Sequence, residues 1–182
     1  MKTLLAVLFL LLTVAACATS GSNAPPSAVA NLQPTKGSKV WGEVTFTQKG
    51  DQVLVVANVH GLTPGLHGFH VHEKGDCSAP DAMSAGGHFN PSGKPHGAPD
   101  SAEHHGGDLG NLSADGSGNA TLSIEAGNIT LDQSVNSVVG KSVIVHANPD
   151  DLKSQPAGNA GPRVACGIIQ IVKQAKSRYS GY

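Results

Sequence analysis

Val40-Trp41-Gly42-Glu43-Val44-Thr45-Phe46, then the polar turn Gln48-Lys49-Gly50-Asp51, then a second apolar-rich run at residues 52–59, decide the fold class. Side chains alternate across a strand, so Val40, Val44 and Phe46 fall on one face of an extended chain. Two such runs joined by a Gly-containing turn read as a β-hairpin. Outward from the hairpin, residues 61–65 hold Pro64 and two Gly and read as another turn. Residues 69–72 form a short strand, and strands resume at residues 120–125, 142–147 and 164–172. No long stretch has a helical period. With 23 Gly and 11 Pro against 4% aromatic and 14% charged residues, the composition suits short strands joined by turns better than a helical bundle. The expectation is an all-β domain, a sandwich or flattened barrel with long functional loops.

The 182 residues suffice for one domain with its own core. Its N-terminus reads as a targeting segment. Lys2 precedes an uncharged apolar run of about 13 residues at positions 4–16, too short to cross a ~30 Å hydrocarbon core with ease. Residues 1–16 are therefore read as a signal peptide. Val14-Ala15-Ala16-Cys17 places small residues before a Cys and resembles the lipobox of bacterial lipoproteins, in which the Cys is acylated and becomes the new N-terminus. Ordinary cleavage near Ala16 or Ala18 is the alternative. Of the three Cys, Cys77 and Cys166 can pair, which leaves Cys17 over. More than one acyl chain on Cys17 would hold the protein on a membrane surface. Residues 17–38, poor in apolar anchors, are expected to be a lipid-attached flexible tether. Residues 39–182 are then the folded domain, with 173–182 polar and frayed. The net charge of −1 gives no reason to expect a nucleic-acid partner.

Nine His is a high count, and most lie between positions 60 and 105. His70-Val71-His72 on a strand would point both imidazoles to one side, toward one metal. By itself that pair is weak, since two His on a wet strand face look the same. Residues 74–118 show almost no apolar periodicity. A structureless loop that long argues for function, because it carries four His that metal could organise. His88, His96, His105 and Asp108 follow at spacings x7, x8 and x2, a tetrahedral zinc set without thiolates. His146 ends the β-branched run Ser142-Val143-Ile144-Val145-His146, and Asp150-Asp151 follows as a source of carboxylate to orient ligands.

Together, Gly68-Phe69-His70-Val71-His72-Glu73, Ser84-Ala85-Gly86-Gly87-His88-Phe89-Asn90-Pro91, Gly107-Asp108-Leu109-Gly110-Asn111 and Gly158-Asn159-Ala160-Gly161-Pro162-Arg163-Val164-Ala165-Cys166-Gly167 resemble the motifs of the copper–zinc superoxide dismutases. The resemblance spans roughly residues 40–172. It implies an eight-stranded Greek-key flattened barrel, akin to an immunoglobulin-like sandwich, with a long metal-binding loop and a shorter electrostatic loop. It implies one copper per chain on His70, His72, His88 and His146. One zinc per chain would sit on His88, His96, His105 and Asp108, with His88 shared between the ions. Asp150 would hydrogen-bond the outer nitrogens of His70 and His96. Cys77 and Cys166 would form a disulfide, and Arg163 would stand beside the copper mouth to draw in the superoxide anion. The register His-x-Gly-Asp selects His105 over His104 as ligand, and His60 and His67 read as structural. Export and a disulfide imply an oxidising compartment, here the periplasm, with lipid anchoring to a bacterial membrane. The reading is compatible with a monomer or a homodimer.

Residues 153–157 make a short segment compared with the charged loop of the animal enzymes, so steering would rest on fewer charges, Lys153 and Arg163 among them. Ala157 stands where a small hydroxyl residue often lines the channel. Among function classes, a copper or zinc buffer would need the ligands but neither an anion-guiding Arg nor a shared imidazole. A copper-only variant would lack His96, His105 and Asp108, and a zinc hydrolase would want an open zinc position. The expectation is dismutation of superoxide to dioxygen and hydrogen peroxide, as antioxidant defence outside the cytoplasm.

Overall fold

The computed structural model describes residues 25–172. They form β1 (Ser27–Pro34), β2 (Trp41–Lys49), β3 (Gln52–His60), β4 (Gly65–His72), β5 (Asp108–Ala114), β6 (Ala120–Ala126), β7 (Ser142–His146), β8 (Arg163–Ile168) and the two-residue β9 (Gln170–Ile171). A single 3₁₀ turn, Met83–Ala85, lies in the long loop. Every strand pairing is antiparallel. Eight strands run in the order β5-β4-β7-β8-β1-β2-β3-β6, and β9 adds to β1. The end strands β5 and β6 pack side by side, so the sheet nearly closes on itself as a barrel.

The hairpin forms as its alternation requires. β2 and β3 pair from Trp41↔His60 to Lys49↔Gln52, and Val44, Phe46, Val53, Val55, Ala57 and Val59 are all fully buried. Facing them across the barrel are Phe69, Val71, Leu112, Val143, Val145 and Ala165. At roughly 1.5–3 kcal/mol for each large apolar side chain removed from water, this one core is the main source of stability.

Two strands went unforeseen. The flexible tether expected through residue 38 ends earlier, because residues 27–34 are β1. Ala28, Ala30 and Leu32 alternate inward and are buried, while β1 bridges β2 on one side and β8 on the other. Two of its three anchors are Ala, whose small apolar surface barely stands out in a polar run. The folded domain therefore begins before residue 39. β5 was hidden inside the loop. Leu109 and Leu112 are both buried although three residues apart, because Gly110 takes φ +82° and shifts the alternation by one. The expected strand at residues 164–172 is divided into β8 and β9. The signal peptide, Cys17 and the tail 173–182 lie outside the described residues.

Candidate metal centre

β4 is buried on both faces, and this positions the site. Phe69 and Val71 point into the barrel, while His70 and His72 point outward beneath the long loop. A register shift between Gly68↔Asn111 and His70↔Asp108 leaves one extra residue on β5 and sets Asp108 opposite His70. The loop is stitched to β4 by backbone bonds. Phe89 N donates to Val71 O at 2.8 Å, Gly107 N to Phe89 O at 2.8 Å and Val71 N to Gly107 O at 2.9 Å. Gly107 is required there, because a Cβ would collide with the Val71 carbonyl. These bonds bring His88 and the His105–Asp108 corner against His70 and His72. His146, at the end of β7, enters from the neighbouring strand.

Two donor sets result. His70, His72, His88 and His146 offer atoms within 4.8 Å of one another, and so do His88, His96, His105 and Asp108; all are buried. Hydrogen bonds fix which nitrogen each ring offers. His70 Nε2 donates to Asp150 Oδ2 at 2.7 Å, His72 Nδ1 to Gly86 O at 2.9 Å, and His146 Nδ1 to Gly161 O at 3.0 Å. The opposite atoms, His70 Nδ1, His72 Nε2 and His146 Nε2, are buried with no protein partner, and so is His88 Nε2. Buried polar atoms are rarely left unpaired. Four bare nitrogens facing one point are what a nitrogen-ligated metal requires.

In the second set, His96 Nε2 donates to Asp150 Oδ1 at 2.9 Å and leaves Nδ1 free to face Asp108 Oδ1 at 3.0 Å. His88 Nδ1 lies 2.7 Å and His105 Nδ1 3.3 Å from the same oxygen, and the two nitrogens are 3.4 Å apart. Zinc bonds of about 2.0–2.1 Å place tetrahedral donors roughly 3.3 Å apart. The donors therefore fit zinc. The other carboxylate oxygen, Asp108 Oδ2, is held by backbone N–H groups of Gly97 at 3.1 Å and His105 at 2.9 Å.

Electrostatics set His70, His72 and His146 apart from His96, while burial lowers His105 of the second set as well, against the pull of Asp108. Burial pushes His70 down to about 3 against the pull of Asp150, and His146 down to about 4, while His72 is held well below its usual range by burial and by His88. These rings are neutral, with lone pairs available. For His96 burial alone would lower the pKa, but Asp108 and Asp150 reverse this and raise it to about 9. Against their own burial, Asp108 and Asp150 are depressed by the histidines that bond them.

Arg163 lines the cleft with His72, His88, His105, His146, Pro156 and Ala157. Its Nη1 donates to Ala82 O at 2.7 Å and its Nη2 to Gly86 O at 2.6 Å, so the guanidinium cannot swing away. Those carbonyls sit on the segment pinned by the Cys77–Cys166 disulfide, which spans 89 residues. Burial lowers the Arg163 pKa and Asp81 opposes this; a guanidinium stays charged in any case. Lys153 is exposed and does not line the cleft. His104 falls outside both donor sets: Nδ1 donates to His105 O at 2.7 Å and Nε2 accepts from Asn128 at 2.8 Å. The two His67 ring nitrogens lie 2.8 Å from the carbonyls of His146 and Thr63, and a neutral ring donates to one of them; His60 pairs with Asn119 at 2.8 Å. Asn111 went unremarked in the sequence. Its amide pairs with the Asp150 backbone, accepting at 2.8 Å and donating at 3.0 Å. Its place in the motif after Asp108 was the one signal available.

A nearly closed antiparallel barrel whose outer face carries two donor sets joined through one imidazole is the framework of a dinuclear metalloprotein. Comparison with known proteins makes this specific. The family model for copper/zinc superoxide dismutase matches residues 40–169. A superoxide dismutase [Cu-Zn] 2 of Brassica juncea is 49% identical over 150 residues, covering 79% of this chain and 96% of the relative. The crystal structure of the clock protein EA4 superposes with a TM-score of 0.74 at 39% identity, covering 84% of this chain and 98% of that one. The chain belongs to the copper/zinc superoxide dismutase family. Copper and zinc are the family's metals, and the two donor sets fit them.

Proposed function

We propose that this chain dismutes superoxide to dioxygen and hydrogen peroxide, with copper on His70, His72, His88 and His146 and zinc on His88, His96, His105 and Asp108. The observation that carries the proposal is the placement of His88. One ring nitrogen belongs to each donor set, and the fixed guanidinium of Arg163 lines the same cleft. When bound, copper supplies one-electron redox chemistry, and zinc supplies fixed positive charge without redox change.

The protein's own groups account for the rest. Arg163 attracts the superoxide anion and holds it at the cleft, because its two carbonyl partners neutralise none of its charge. Each ring apart from His88 and His105 spends its outer N–H on a carbonyl or on Asp150, so its inner nitrogen stays bare and correctly aimed. His88 has no carbonyl or Asp150 partner. It can therefore hold a proton at Nε2, the atom facing the copper set, where peroxide formation needs one.

We further propose that the protein works outside the cytoplasm, in the periplasm, held to a membrane by lipid on Cys17. This rests on the apolar run at residues 4–16 and on Ala15-Ala16-Cys17. The Cys77–Cys166 disulfide supports an oxidising compartment. The named relative is a plant enzyme and lends the lipid anchor no support. Superoxide decay catalysed by the copper- and zinc-loaded protein, with one peroxide formed per two superoxide consumed and loss of rate on chelating copper, tests the activity. A loaded protein that leaves the decay at its spontaneous rate would return the reading to a metal buffer. Incorporation of labelled palmitate by the wild type, absent in Cys17→Ala, tests the anchor; equal labelling of both would exclude it.

A further inference from the structure

The short loop after Asp151 does something other than carry steering charges. Asp151 ties the loop to itself: its Oδ1 accepts from Lys153 N at 3.0 Å and Ser154 N at 2.8 Å, its Oδ2 from Asn159 Nδ2 at 3.1 Å. Gly158 closes it, with its N–H on Ser154 O at 2.7 Å and its carbonyl accepting from Asp151 N at 2.8 Å. Gly158 also has φ +65°, and a Cβ there would collide with Asp150 Oδ1 and crowd His96 Nε2. From this tied loop the Gln155 side chain reaches 59 residues back along the chain. His96 N donates to Gln155 Oε1 at 2.8 Å, and Gln155 Nε2 donates to His96 O at 2.9 Å and to Lys153 O at 3.2 Å.

One amide therefore grips both backbone polar groups of His96, as a neighbouring strand would. The ring of the same residue is gripped from the other end by Asp150, at 2.9 Å. Both grips come from the two ends of one loop, and the next residues, Pro156 and Ala157, form a wall of the metal cleft. We propose that Gln155 is a positioning residue for the zinc site: it fixes the backbone of His96 so that Nδ1 points at the ion, and joins the cleft wall to that ligand. The proposal rests on assigning zinc to the His88, His96, His105 and Asp108 set. Gln155 touches neither metal nor substrate. Its partners are partly open to water, so its effect is that of two ordinary hydrogen bonds acting on one ligand.

The test uses the full-length protein loaded with copper and zinc, with zinc release followed by a chromogenic chelator and copper retention followed in the same samples. Gln155→Ala is expected to release zinc roughly tenfold faster, with copper retention unchanged. Gln155→Glu keeps the shape and the acceptor for His96 N, but sets a carboxylate oxygen against the His96 carbonyl. It is expected to release zinc at least as fast as Gln155→Ala, which a role through loop shape alone would not produce. Zinc release at the wild-type rate in both variants would overturn the proposal alone. So would parallel loss of zinc and copper together with a lowered melting temperature of the metal-free protein. A wild type that takes up no zinc would overturn the zinc assignment and the proposal with it.

Discussion

Replacing Asp150 with Ala isolates one carboxylate that serves both donor sets. Its side chain is fully buried and accepts from His70 Nε2 at 2.7 Å and from His96 Nε2 at 2.9 Å. Its backbone is held by two bonds with Asn111, which remain when the side chain is removed, while the bond that Oδ1 accepts from Leu152 N at 2.7 Å is lost with the two His contacts. Loss of a carboxylate that orients a ligating His costs about 10–100-fold in metal affinity, or roughly 1.4–2.7 kcal/mol. The two sets should not suffer equally. On the copper side His72 and His146 keep their own carbonyl partners, whereas on the zinc side the His96 ring loses its one outer anchor. Competitive titration against a chelator is therefore expected to show zinc affinity lowered about 10–100-fold, with copper lowered less. Unchanged zinc affinity in a correctly folded variant would refute the reasoning that the outer hydrogen bond aims the ring.

Arg163→Ala is expected to slow superoxide decay by about 10-fold or more, and to flatten its dependence on ionic strength, while copper and zinc contents stay at wild-type values; an unchanged rate would remove Arg163 from the account. Cys77→Ser opens a closure of 89 residues, which in the chain-entropy model costs about 4–5 kcal/mol. It should also lower activity, because the segment holding Arg163 is freed; denaturant melts that match the wild type would contradict this. For the metal-free protein, unfolded imidazoles take up protons near 6.5, whereas folded His70 and His146 do so only at about 3 and about 4. Between these values the unfolded state binds more protons, so stability falls as pH drops from about 6.5 toward 4, by up to about 1.4 kcal/mol per pH unit for each ring. His96 acts in the opposite sense: its raised pKa gives stability that is complete below about 6.5 and lost as pH rises through about 9. Urea midpoints at pH 7 and pH 5 check the acid side, and a higher midpoint at pH 5 would contradict it.

The sequence made the hairpin and the donor sets legible for one reason: both depend on fixed spacings along the chain. The alternation of Val40, Val44 and Phe46 states which face is buried, and His70-Val71-His72 states that two rings share a side. β1 was illegible because Ala28 and Ala30 fill a tight barrel interior with little apolar surface. β5 was illegible because Gly110 breaks the period on which strand recognition depends. Gln155 and Asn111 escaped notice for a third reason. An amide that pairs with a backbone 59 or 39 residues away leaves no local pattern, and only the folded chain shows what it reaches. The candidate ligands stood out by residue type, whereas their supports are common residues in ordinary loops.

The proposed function turns on one imidazole, His88, serving two metals in a protein that acts on superoxide. Copper content, zinc content and superoxide decay, measured on the same preparations of wild type and His88→Ala, test it most directly. One copper and one zinc per chain with fast decay are expected in the wild type, and loss of both metals and of activity in the variant. A variant that retains one of each ion, or that consumes superoxide at the wild-type rate, would contradict it.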